Sequence, residues 1–442
     1  MSKTNKPATN ALLKQAHNNM PLGVADSYRY WGEDNTVFVK SSLGCTITDA
    51  DDQQFIDFRL AYGPIILGYR DSRVDQAVIS AITERGTISG FSTDLDSQVV
   101  ELIKQMCPNI EKMRFANSGT EAVIGAVRTA RGFTGRNKIV VVEGGFHGLY
   151  DEMMWKSDVD NWDSTTEAAP QIAAFGGGIP EASREHLETV PLNDFAAIDE
   201  VFARVGDDIA AIVIEPILGN CGSIASSQAY MHKLREICDA NGSLLIMDEV
   251  KTGFRVAKGG AQALYGIHAD LTTYAKAMGN GYPVAAFGGR SDVMDVISFN
   301  KKGVTHGGTY TANIIALSAA KATLTILNES DAFDSINKAG ADIQQVLSRV
   351  FNRHGIEHKF AGPDAMFGIH FGNQVPENYR DWKQTDSELY TQFALNLIEK
   401  GIMLEPDSRE PWFICESHKD IDLVKLEEIA NAAMAKALVE RG

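Results

Sequence analysis

Residues 243–287 read SLLIMDEVKTGFRVAKGGAQALYGIHADLTTYAKAMGNGYPVAAF, and the fold class is decided here. The stretch opens on an apolar run that closes at Asp248 (243–248) and ends on a second one, PVAAF (283–287). Apolar runs without alternation suit strands covered on both faces, as in a parallel sheet. KIVVVE (138–143) and AAIVIE (210–215) repeat the pattern upstream. Helical patterns accompany these runs: Leu95, Val99, Leu102, Ile103 and Met106 fall on one face at 3.6-residue spacing. Strands alternating with helices predict an α/β architecture around a mostly parallel sheet.

The flanks read differently. NTVFVKS and CTITDADDQQFIDF, within 34–58, are two candidate strands, the second turned at Asp49–Asp52, which predicts an N-terminal hairpin outside the main sheet. From about residue 320 a long helical pattern runs to His354, short strands are expected near 365–371, and a closing helix at 423–438. The expected organisation is a large domain over 71–322 and a smaller α+β domain built from 1–70 and 323–442. Residues 156–192 are long, Gly- and Pro-containing and weakly periodic, a pattern usual for functional or mobile loops.

At 442 residues the chain is longer than one ordinary core, and 44% apolar with 22% charged residues suits a globular protein. The net charge of −17 argues against a general nucleic-acid binder, since phosphate backbones are held by clustered Lys and Arg. Cys45, Cys107, Cys221, Cys238 and Cys415 form no CxxC pair, so neither a disulfide framework nor a zinc cluster is indicated and a cytoplasmic location is expected. The N-terminal MSKTNKPATNALLKQAHNNMP has no apolar core run, and no segment of about 18 apolar residues occurs, so membrane insertion is not expected.

Three constellations carry chemistry. Asn117-Ser118-Gly119-Thr120-Glu121 opens a helical run, where free N–H groups and the positive dipole end suit a phosphate; Ser118 and Thr120 suit a plain helix cap equally. Asp248 closes a buried strand, the edge at which α/β sheets place ligands, and beside a pyridine nitrogen it would keep that nitrogen protonated; a carboxylate capping the next helix or pairing with Arg255 is the bland alternative. Lys276 lies between an apolar segment and the glycine-rich turn of KAMGNGYP; most lysines are solvated, but a desolvated one has the lowered proton affinity that Schiff-base chemistry needs.

Together with GGFHG, EPILGN and GGTYTAN, the motifs NSGTEA, DEV and KAMGNGYP stand in the order seen in class III, fold type I aminotransferases. The chain resembles that family from about Gly23 to its C-terminus, most closely the subgroup of glutamate-1-semialdehyde aminomutase and related aminotransferases. The resemblance implies pyridoxal 5'-phosphate carried on Lys276 as a Schiff base. It implies that Ser118, Gly119 and Thr120 hold the phosphate, joined by Thr309 from the other subunit of a homodimer with shared active sites. It places Phe146 and Val250 on the two faces of the cofactor ring, Asp248 at the pyridine nitrogen, Asn220 near the ring hydroxyl, and Glu215 and His147 close by. Phe146 as ordinary core, His147 as a structural histidine and Gly307-Gly308 as a turn are the alternatives.

For substrate, the resemblance points to Arg29 as a carboxylate holder, with Tyr62 and Glu410 also facing the site; Arg409 is the alternative carboxylate contact, and a solvated surface charge is the bland reading of either arginine. These favour a substrate bearing a carboxylate or several polar groups. The implied reaction is a ping-pong transfer from an amine or amino acid to a keto acid or aldehyde, with Lys276 as proton carrier. An intramolecular aminomutase is the alternative. Tyr62 in AYGP stands where the aminomutases commonly show Trp, and KAMGNGYP departs from their GGGxPVGA. A nucleotide-binding dehydrogenase or kinase lacks its phosphate fingerprint here, and HExxH and GxSxG are absent. A non-catalytic regulator on the same fold is disfavoured by Lys276 and Asp248, and no metal site is expected.

Overall fold

The structure, a computed structural model, describes residues 6–167 and 169–441. Its main sheet has seven strands in the order Lys112–Ala116, Ala285–Gly289, Leu271–Tyr274, Leu244–Asp248, Ile209–Ile214, Lys138–Val142 and Leu187–Val190. Ala285–Gly289 runs antiparallel to both of its neighbours, and every other pairing is parallel. The continuous apolar runs explain the centre of this sheet, for every residue of Ile209–Ile214 and Leu244–Asp248 is buried. Lys112–Ala116, Leu271–Tyr274 and Leu187–Val190 carry charged or hydroxyl residues and give no such signal in the sequence.

The expected N-terminal hairpin is larger than the sequence suggests. Val39–Leu43, Thr46–Asp49 and Gln54–Asp57 form an antiparallel run, and Ile402–Met403 adds to its edge parallel to Gln54–Asp57. The two ends of the chain therefore share a sheet. A second small sheet joins His358–Ala361, Met366–Phe371 and Trp412–Phe413. The long helical pattern after residue 320 is two helices, Ile314–Glu329 and Ala332–Arg353, because Ser330 turns to an extended conformation between them. Leu423–Arg441 closes the chain.

One apolar core joins these parts, with Phe254, Tyr274 and Met278 beside the main sheet packed in the same cluster as Phe58, Ile66, Phe367 and Trp412. Among the described residues no helix is long and apolar enough to cross a membrane, the five cysteines are free and buried, and no metal-binding cluster is found.

Candidate active site

The parallel strands end at one edge, and the chemistry-bearing residues gather there. Lys138–Val142 leads into the turn carrying Phe146 and His147, Ile209–Ile214 into Glu215, Leu271–Tyr274 into Lys276, and Leu244–Asp248 ends on Asp248 itself. Ligands of open α/β sheets bind at this carboxyl edge.

Asp248 is 2% exposed and fully engaged. Its Oδ1 accepts from the Thr273 hydroxyl at 2.9 Å and the Val250 amide at 3.1 Å, and its Oδ2 lies 2.8 Å from Nδ1 of His147. It does not pair with Arg255, whose guanidinium donates to the carbonyls of Gly63, Ile65, Ala365 and Ile414. His147 is buried, and its Nε2 has no partner. Glu215, also buried, accepts from the amides of Phe146 at 2.8 Å and Gly219 at 3.1 Å. Burial pushes its carboxyl up, and Asp248 adds to the rise.

Lys276 opens a short 3₁₀ turn with a left-handed φ of 46°, a conformation that costs a non-glycine residue energy and collects at functional sites. Its amine is pushed down to about 7, first by burial and then by the neighbouring Lys251 charge, against the opposing pull of Glu410, Glu215 and Asp248. The turn is pinned from outside by Asn280, whose Oδ1 accepts from the amides of Ile66 and Leu67 at 2.9 Å and whose Nδ2 donates to the Gly68 carbonyl at 3.0 Å.

At the start of the helix Gly119–Thr134, Ser118 Oγ accepts from the amide of Glu121 at 3.2 Å. Capping and anion binding are compatible here, because a helix start leaves several amides free and one cap uses a single donor. Close approach is built in, for a Cβ on Gly119 would come within 3.0 Å of Val250 Cγ1. Thr120 Oγ1 takes the amide of Leu149 at 3.2 Å. Thr309 lies exposed on the loop after Gly307-Gly308.

A cavity of about 640 Å³ opens beside these groups, its wall including Tyr28, Tyr62, Phe146, Lys156, Asn220 and Glu410. Glu410 is held at both oxygens, by Asn220 Nδ2 and by Lys251 Nζ at 3.1 Å, while Asn220 Oδ1 is buried without a partner. Tyr62 Oη lies 3.1 Å from Glu405, which also pairs with Arg59 at 3.2 Å. Glu405 is pushed up to about 7 by burial, against the pull of Arg59.

Arg29 is not brought into this cavity. Its side chain is 64% exposed and paired with Asp26 at 2.5 Å, so the guanidinium has its carboxylate close at hand in the same turn, and Tyr28 reaches the wall instead. Arg409 does line the cavity but is already bound to Asp407, Asp160 and the Tyr379 hydroxyl. The sequence reading also missed Lys156, Lys251 and Asn280. Lys251 stands three residues past Asp248 and Asn280 precedes a glycine in a tight turn, signals that could have drawn notice, whereas Lys156 sits at the start of the weakly periodic stretch.

Residues 28–428 match the family described as Aminotransferase class-III. A glutamate-1-semialdehyde 2,1-aminomutase of Methanothrix thermoacetophila is 37% identical over 414 residues, covering 94% of this chain and 93% of that protein. The crystal structure of an omega-transaminase from Sphaerobacter thermophilus superposes with a TM-score of 0.90 at 27% identity, covering 99% of both chains. A transaminase solved with PLP bound gives 0.86 at 28% identity, covering 97% of both.

Proposed function

This chain belongs to the class III aminotransferase family, and from that membership we propose that it moves an amino group from an amine or amino acid to a keto acid or aldehyde in a ping-pong reaction. Pyridoxal phosphate is the cofactor of this enzyme class. When bound it supplies an aldehyde that receives amino groups and a ring that takes up the electron pair left behind when a proton departs.

The residues present suit that group. The amides and hydroxyls of Ser118, Gly119 and Thr120 would take the phosphate at the helix start. Phe146 and Val250 would face the ring, and the unpartnered Nε2 of His147 and Oδ1 of Asn220 leave polar atoms for a ligand to satisfy. Asp248, held by Thr273, Val250 and His147, would keep a proton on the ring nitrogen. Glu215 would fix the turn bearing Phe146 through that residue's amide.

The reading rests above all on Lys276. An amine depressed to about 7 is about half unprotonated near neutral pH, so it can attack an aldehyde. Once the incoming substrate amine has displaced it, the freed amine can accept a proton from the substrate carbon and return it two atoms along, across the nitrogen. Tyr62 and Glu410 would border the substrate, with both Glu410 oxygens engaged before it arrives. A homodimer with shared sites is part of the proposal: Thr309 is exposed beside exposed Tyr310, and Phe91 is 80% exposed, surface that a second copy would cover while Thr309 reached the partner's phosphate site.

The curated relative favours a second reading, an aminomutase that keeps one molecule through both halves of the reaction. A single-turnover experiment separates the two. The cofactor-loaded protein is mixed with a panel of amines and amino acids but no acceptor, and the near-visible absorbance and released products are followed. Transamination predicts bleaching with one equivalent of the free carbonyl product, an aldehyde, ketone or keto acid according to the donor. Rearranged amine with no released carbonyl product would establish the aminomutase instead.

A further inference from the structure

The positive groups around the substrate cavity differ in one respect. Arg59 is paired with Glu405, Lys251 with Glu410, and Arg409 with both Asp407 and Asp160. Lys156 has no such partner. Its Nζ donates to the Gly145 carbonyl at 2.6 Å and lies 5.7 Å from the centre of the Phe146 ring, and it forms no ion pair with any carboxylate among the described residues. An ammonium carries three donors, and one carbonyl leaves capacity for an anion.

We propose that Lys156 receives a carboxylate carried by the amino substrate and so sets the enzyme's preference for acids over simple amines. This rests on the reading that the cavity admits an amino substrate.

Withdrawing an ammonium from water is unfavourable unless it is paired and hydrogen-bonded, so a carboxylate arriving in the cavity would supply the counter-charge that Lys156 lacks. Burial pushes Lys156 down to about 8, with Glu215 and Asp248 pulling it back, so it is still largely charged at neutral pH. A charge-assisted hydrogen bond to a carboxylate is among the stronger contacts available there. Position agrees as well: Lys156 lies on the strand Trp155–Ser157, paired with Ile172–Ala174, and both segments contribute to the cavity wall. Arg29 and Arg409, the other candidates for the task, already hold carboxylates of the chain itself.

Two measurements test the assignment. First, the loaded wild-type enzyme and its Lys156→Met and Lys156→Arg variants are compared in the half-reaction on matched pairs, γ-aminobutyrate against n-butylamine and alanine against ethylamine. The expected result is an acid preference in wild type, a rise in KM for the acids of about ten- to a hundredfold in Lys156→Met with the amines little changed, and partial recovery in Lys156→Arg. Equal losses on acids and amines would make Lys156 a mere strut for the Gly145 carbonyl, and a wild-type preference for the amines would equally overturn the assignment.

Second, the loaded wild-type protein is treated with acetic anhydride, with and without butyrate or butyramide, and acetylation at Lys156 is followed by peptide mass spectrometry. Protection by butyrate alone supports the assignment; no protection, or equal protection by the amide, overturns it. This measurement needs no turnover, so a failure of the transamination reading would leave it intact.

Discussion

Nδ1 of His147 sits 2.8 Å from Oδ2 of Asp248, and both side chains are almost wholly withdrawn from solvent. The imidazole therefore completes the coordination of the one carboxylate at the end of the central strand. Removing it strands a buried acceptor, at a cost of about 1.5–3 kcal/mol for a hydrogen bond to a charged group. His147→Ala is expected to lower the thermal midpoint and weaken cofactor retention in dialysis, and His147→Asn, which can restore a donor, to recover part of both. Unchanged retention in His147→Ala would assign the pair to packing alone.

Lys276→Met should fold yet give no borohydride-stabilised cofactor adduct, and mapping of the reduced wild-type protein should place the adduct on Lys276. The cofactor-free protein adds a pH signature. Lys276 is lowered from 10.5 to about 7 in the fold, so across that interval the unfolded chain holds more protons than the folded one. Stability contributed through this group must then rise with pH from about 7 and level off above 10.5, where both states are neutral. The difference between wild type and Lys276→Met in denaturant titrations should follow that curve. Lys251→Met should move the lower end upward, because the Lys251 charge is one of the causes of the depression.

Asn280 offers a purely structural test of how the lysine turn is held. Asn280→Ala leaves the amides of Ile66 and Leu67 without their shared acceptor in a buried site, at about 1–3 kcal/mol for each stranded group. A fall in thermal midpoint with a loss of cofactor affinity is expected, since the turn carries Lys276. An unchanged midpoint would show that the amides find another partner.

How much of this was legible beforehand follows from the kind of signal each part leaves. The central strands are apolar on both faces, so Ile209–Ile214 and Leu244–Asp248 announce themselves. Lys112–Ala116 alternates Lys and Arg with apolar residues at a sheet edge, and Leu187–Val190 is equally mixed; neither stands out from a loop. Ile402–Met403 is two residues long and joins a sheet whose other strands lie more than three hundred positions earlier, a pairing no local pattern encodes. The same holds at the site. Asp248, Lys276 and Ser118 sit at strand and helix ends readable from neighbours in sequence, and Glu410 is reached through its motif, whereas Lys156 acquires meaning only from groups brought near by the fold. For Arg29 the motif is the only signal, and the carboxylate that holds it in the fold stands three residues back, at Asp26.

If Thr309 completes the partner's phosphate site, two damaged subunits should rescue one another in a defined way. Mixing Lys276→Ala with Thr309→Ala subunits should yield hybrids with one doubly damaged site and one intact site. Purified by differential tags, the hybrid should retain about half of the wild-type cofactor and turnover per dimer, far above either parent. Hybrids no better than the parents would place Thr309 in its own subunit's structure.

The last expectation concerns the substrate carboxylate and runs against the motif. Arg29 is 64% exposed and its Nε is 2.5 Å from Asp26, a surface pair of the kind worth about 0–1 kcal/mol. Asp26 also caps the short turn by accepting from the Tyr28 amide at 3.1 Å, so the residue that reaches the cavity from this turn is Tyr28. Arg29→Ala should therefore leave KM for γ-aminobutyrate and for n-butylamine within about twofold of wild type, an effect of the size expected from a solvated charge. Arg409→Ala should do more, and without discriminating acid from amine, because it frees Asp407 and Asp160 in the wall and removes a contact to the Tyr379 hydroxyl. Steady-state or half-reaction kinetics on the matched pairs decide between these outcomes. An acid-specific rise in KM for Arg29→Ala would mean that Arg29 leaves Asp26 when substrate binds, and the carboxylate would then have to be shared with, or taken from, Lys156.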